Sequence, residues 1–129
     1  MSKLRTPKDD HNGIALVGLD NVQAQSFLTA IKAGLEAEFN ALAGRWAAET
    51  AHLSSTHDAV MNENYQKIIG MGPDALPLIL NRLRKQPDHW FWALRAITRA
   101  NPVEPELRGN VKAMADRWLE WGRQKGLIA

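Results

Sequence analysis

A chain of 129 residues with 45 % hydrophobic content is long enough for one domain that buries its own core. It has no cysteine, which excludes disulfides, thiolate metal sites and a cysteine nucleophile and fits a reducing compartment, so a cytoplasmic protein is expected. Net charge is only +2, but residues 1–81 hold six Lys/Arg and nine Asp/Glu (net −3) while residues 82–129 hold ten and five (net +5). That asymmetry can steer an acidic partner or a nucleic acid to one end; a solvated helix surface of mixed charge is the favoured account of it.

Residues 1–20 read as a flexible arm, opening on Lys3, Arg5, Pro7, Lys8, Asp9 and Asp10 without a period. Charges of both signs and the lack of a long apolar core argue against a secretory signal. Ile14 to Leu19 is a short apolar stretch, and no run approaches the roughly 18 residues that span a bilayer. Residues 21–129 read as a single helical domain. Asp20 or Asn21 is a fitting N-cap. Leu28, Ile31, Leu35, Phe39, Leu42 and Trp46 follow at steps of 3 or 4 and make one stripe on a helix from about Val22 to His52. A helix of that length, about 45 Å, invites pairing with a second copy through residues 22–52; serving as the backbone of its own domain is the simpler role.

Leu53 to Asp58 reads as a break with a new cap, because hydroxyl and Asx side chains favour helix starts. A helical stretch from His57 to Met71 follows, with a potential interruption at Asn62, Glu63 and Asn64 and an end at Gly70 and Gly72. With Asp74 as N-cap, Pro77 falls at the third position, where a missing N–H costs little. Leu76, Ile79, Leu80 and Leu83 then form an apolar face, and Arg82, Arg84 and Lys85 occupy the last turn, where cations suit the dipole. Pro87 stops that helix and Asp88 caps the next, His89 to Ala100, with Phe91, Leu94, Ile97 and Thr98 giving its period. Asn110 caps a final helix from Val111 to about Lys125, with Val111, Met114, Trp118 and Leu119 on one face, and Gly126 before Leu127 suits a Schellman stop.

The run from Ile68 to Leu83, with its Gly70-Met71-Gly72 turn and its Ala75-Leu76-Pro77-Leu78-Ile79 start, followed by Trp90 to Ile97, resembles a HEAT-like repeat over about residues 65–98. Solenoids need about three such units. The resemblance therefore implies an all-α, compact helical domain with a long N-terminal helix and one HEAT-like helix pair. The Leu53-Ser54-Ser55, Ile68-to-Gly72 and His89-to-Leu94 blocks are also similar to a family of small bacterial proteins, from which no catalytic residue carries over; a bacterial or phage source is expected.

No phosphate loop or His-Glu-x-x-His motif occurs. His52, His57 and His89 with Asp58 or Glu49 match no ligand spacing. Ser54, Ser55, His57 and Asp58 contain the residue types of a nucleophile triad, but neighbours on one turn cannot converge on one atom, and capping explains them. No catalytic residue, cofactor or metal is expected. The five tryptophans are Trp46, Trp90, Trp92, Trp118 and Trp121. Trp46 and Trp118 fall on apolar stripes and read as core. Trp90 and Trp92 lie about 200° apart around a helix, so one must leave the core face unless the helix is sandwiched on two sides. Tryptophan and arginine concentrate at binding hot spots. The expected partner surface is Trp90 or Trp92 with Arg95 and Arg99, supported by Arg82, Arg84 and Lys85. The expected function is a non-catalytic protein-interaction module, an adaptor or regulator able to self-associate. The alternative is a nucleic-acid-binding accessory protein using Arg82, Arg84, Lys85, Arg95, Arg99, Arg108 and Arg117.

Overall fold

The computed structural model describes residues 20–87 and 89–129. Among them are six α-helices and no strand: α1 Asn21–Thr50, α2 Thr56–Val60, α3 Glu63–Gly70, α4 Leu76–Lys85, α5 Phe91–Thr98 and α6 Val111–Gln124. Short 3-10 turns occupy Gly72–Ala75 and Pro105–Leu107. The protein is all-α, as its periodicity predicts. The arm expected at 1–20 lies outside the described residues except for Asp20, and so does the capping role expected of Asp88. Contacts divide the chain into two units, Met1–Gly34 and Leu35–Ala129, with the boundary inside α1.

In the first unit, Asp20 caps α1 by a reciprocal pair of bonds. The Gln23 N–H donates to Asp20 Oδ1 at 2.7 Å, and the Asp20 N–H donates to Gln23 Oε1 at 3.2 Å. This capping box satisfies donors that a helix start leaves orphaned. The apolar side chains here remain in solvent: Val22, Phe27, Leu28 and Ile31 are all exposed. The stripe read along the helix is therefore not buried along its whole length.

The second unit buries the rest of that stripe, Phe39, Leu42, Ala43 and Trp46. Phe39, Trp46, Tyr65 and Trp90 form an aromatic cluster with ring centroids 5.0–5.6 Å apart. Tilted and offset ring pairs of this kind add to the gain from area alone. The Trp46 indole also donates to the Ala59 carbonyl at 2.8 Å, which joins α1 to α2. Beside it, Asn64 is buried with both ends of its amide engaged: Nδ2 donates to Glu49 and Oδ1 accepts from Arg45. A buried polar group survives when its bonds are made.

Tyr65 carries a second task. Its hydroxyl donates to the His89 carbonyl at 2.6 Å and accepts from the Ala93 N–H at 3.0 Å. Ala93 is the third residue of α5, so a side chain from α3 caps that helix from a distance. Tyr65→Phe keeps the ring and strands the buried Ala93 N–H. We expect a loss of about 1–3 kcal/mol, read from urea unfolding.

α4 buries Leu76, Ile79, Leu80 and Leu83 as its pattern predicts. Its start differs from the sequence reading. Asp74 lies in the 3-10 turn, Ala75 is the N-cap, and Pro77 stands at the second helical position. The reason is local: the 3-10 turn supplies the entry, and proline needs no N–H there. α6 packs on α4 and is capped by Asn110, whose side chain accepts from the Ala113 N–H at 3.0 Å. Its buried face is Ala115, Trp118, Leu119 and Gly122, while Val111 is exposed, because the first turn reaches past the core. α6 ends in the Schellman pattern, with Leu127 N–H to Gly122 O at 2.9 Å and Gly126 N–H to Arg123 O at 3.1 Å. A Cβ at Gly122 would meet Leu80 Cδ1 at 2.7 Å, so glycine here allows the close approach of α6 to α4.

Candidate functional site

The break after α1 is built by caps. Thr50 Oγ1 donates to the Trp46 carbonyl at 2.7 Å, Ser55 accepts from the Asp58 N–H at 3.3 Å, and Asn62 accepts from the Asn64 N–H at 2.8 Å. Ser55 and Asn62 thus occupy the N-cap positions of α2 and α3, so the predicted interruption at Asn62 is present. Among the described residues no three His, Asp or Glu side chains gather as metal ligands.

α5 separates its two tryptophans. Trp90, the residue that opens the helix, is 2 % exposed inside the aromatic cluster, whereas Trp92 is 52 % exposed. Trp90 is therefore removed from the partner surface expected for it: the face it shares with Ala93 and Leu94 is core. The 200° between the two indoles sends Trp92 outward, and the helix is not sandwiched. Trp92 joins Arg95, Ala96, Arg99, Ala100 and Asn101 around a cleft of about 270 Å³. Arg95 and Arg99 are exposed, and among the described residues neither enters a salt bridge.

Arg99 ends α5 in the left-handed conformation, with φ 60°, and its N–H donates to the Arg95 carbonyl at 2.7 Å. The Ala100 N–H donates to the Thr98 hydroxyl oxygen at 3.0 Å, and that hydroxyl donates to the Leu94 carbonyl. Glycine is the usual residue at such a helix end, because a Cβ costs roughly 1–2 kcal/mol there. Arg99→Gly removes this strain while adding backbone freedom to the unfolded chain. We expect a net gain of about 0.5–1 kcal/mol in a thermal melt.

The other predicted cations are held elsewhere. Arg82 donates to Asn40 Oδ1 at 3.1 Å and lies over the Phe39 ring at 5.5 Å. Arg84 donates to the Ala129 oxygen at 2.9 Å. Lys85 lines a shallow groove with Glu36, Asn40 and Arg82. None of the three lines the Trp92 cleft. Arg117 meets both carboxylate oxygens of Glu104, at 2.9 and 3.1 Å. That hydrogen bond holds the Glu104 carboxyl below its ordinary pKa and raises that of Arg117. Of these cations Arg117 is thus neutralised by a carboxylate, while Arg82 and Arg84 are held in place by hydrogen bonds. The sequence reading had no signal for these assignments, since each partner lies 13 or more residues away.

With this geometry in hand, no protein-family model, curated protein or solved structure matches the chain.

Proposed function

We propose that the protein is a non-catalytic interaction module, an adaptor or regulator built on one HEAT-like helix pair, that binds a protein partner through the α5 cleft. The observation that carries this reading is Trp92: a tryptophan half in solvent beside two arginines that form no salt bridge among the described residues. Trp and Arg are the residues most enriched where binding energy concentrates. The chain's lack of cysteine suits work in the cytoplasm. Nucleic acid fits less well, because phosphate binding asks for cations along one track, while Arg82, Arg84 and Arg117 are bound to their own chain.

Self-association is the second part of the reading. Phe39, Leu42, Ala43 and Trp46 belong to the chain's own core, so of the interface expected over residues 22–52 we propose only the N-terminal part of α1. Leu28 and Ile31 are exposed there, three residues apart on one face, with Phe27 alongside.

A photo-reactive benzoylphenylalanine placed at position 92 tests the partner site. We expect a discrete protein adduct in cells that disappears with Arg95→Glu and Arg99→Glu. An adduct that is nuclease-sensitive, or no adduct at all, sinks the reading.

A further inference from the structure

The Trp92 cleft has a one-sided chemistry. Two of its six lining residues are positive and none is negative. The free carbonyls at the end of α5 bring roughly half a negative charge, which two guanidinium groups outweigh. A guanidinium presents its donors as a planar fork that fits a carboxylate with two parallel bonds. Arg95 lies in the last turn of α5 and Arg99 is its left-handed C-cap, and both line the cleft. The indole of Trp92 and the methyl groups of Ala96 and Ala100 supply the apolar part of the same lining. At about 270 Å³ the space suits one or two side chains, and falls below the usual volume of a small-molecule pocket. Arg99 is the only non-glycine with positive φ among the described residues. The chain keeps a guanidinium at a turn where glycine would be less strained.

We infer that this cleft binds an acidic segment of a partner protein, two carboxylates against Arg95 and Arg99 with an apolar side chain laid on Trp92. The inference rests on the reading of this face as a protein-binding surface and adds the chemistry of what it recognises. An oligonucleotide would need a longer track of cations than this pair supplies.

The test is selection from a phage-displayed random dodecapeptide library on the full chain, with counter-selection on Trp92→Ala. Enriched peptides are expected to carry two Asp or Glu residues flanking a leucine, isoleucine or aromatic residue. Changing those acids to their amides should weaken binding at least about 10-fold. Arg95→Ala should do the same, and so should Arg99→Gly, even though the latter melts no lower than the parent. Neutral or basic winners, winners that Trp92→Ala still holds, or displacement of the peptide by hexathymidylate at lower concentration would overturn the inference. If no peptide is enriched while the cross-link at position 92 still forms, the acidic chemistry fails and the partner surface stands. Loss of both removes the surface as well.

Discussion

Trp90→Ala is expected to cost about 3–5 kcal/mol of stability, while Trp92→Ala leaves the melting temperature within a degree or two. The two residues are neighbours but one in sequence and differ 26-fold in exposure, 2 % against 52 %. Trp90 packs against Phe39, Trp46 and Tyr65, on α1 and α3, with the stacked Tyr65 ring 5.6 Å away. Removing its indole opens a cavity between three helices, and the neighbouring rings are too rigid to refill it. The Tyr65 hydroxyl that caps α5 would lose its support at the same time. A lowering of Tm by roughly 10 °C or more should follow for a domain of this size. Equally early melting of the two variants would mean that α5 is packed on both of these faces and that Trp92 is core as well.

The second large effect is on assembly. The paired substitution Leu28→Asp and Ile31→Asp should convert a dimer to a monomer in light scattering at micromolar concentration. Each aspartate would carry an unpaired charge into the apolar contact, at about 3 kcal/mol or more, which is over 100-fold in Kd. The monomer itself should be unaffected, because both positions are exposed and outside the core. Phe39→Asp, by contrast, should unfold the protein, since that ring is 2 % exposed in the aromatic cluster. A parent protein that scatters as a clean monomer removes self-association from the account.

Local signals in the sequence were legible where they acted locally. Asp20 with Gln23, Ser55, Asn62 and Asn110 cap helices within three residues of themselves, and Gly126 closes α6 by its own positive φ. The apolar period of α4 likewise reports its buried face, Leu76, Ile79, Leu80 and Leu83. Periodicity failed where the covering partner differs along one helix: Leu28 and Ile31 continue the stripe of Phe39 and Trp46, yet only the latter pair is buried. It failed too at the start of α5, where the cap of Ala93 is a hydroxyl 28 residues away. The candidate site was half legible. Angular separation required Trp90 and Trp92 to part, but which of them turns inward is decided by the aromatic cluster, which no spacing rule reveals. Arg82, Arg84 and Lys85 are near Arg95 along the chain but do not line its cleft, because charge spacing in sequence does not report position on the surface.

Whether Trp92, Arg95 and Arg99 form a binding surface while Trp90 is core is reported directly by the five indole N–H signals of the ¹⁵N-labelled protein. In the free protein the Trp92 signal should exchange with solvent fastest, with those of Trp90 and Trp118 protected. On titration with the partner fragment recovered from the position-92 cross-link, the Trp92 signal should move in step with complex formation and the buried indoles should hold. A complex that forms with the Trp92 signal unmoved would contradict the account.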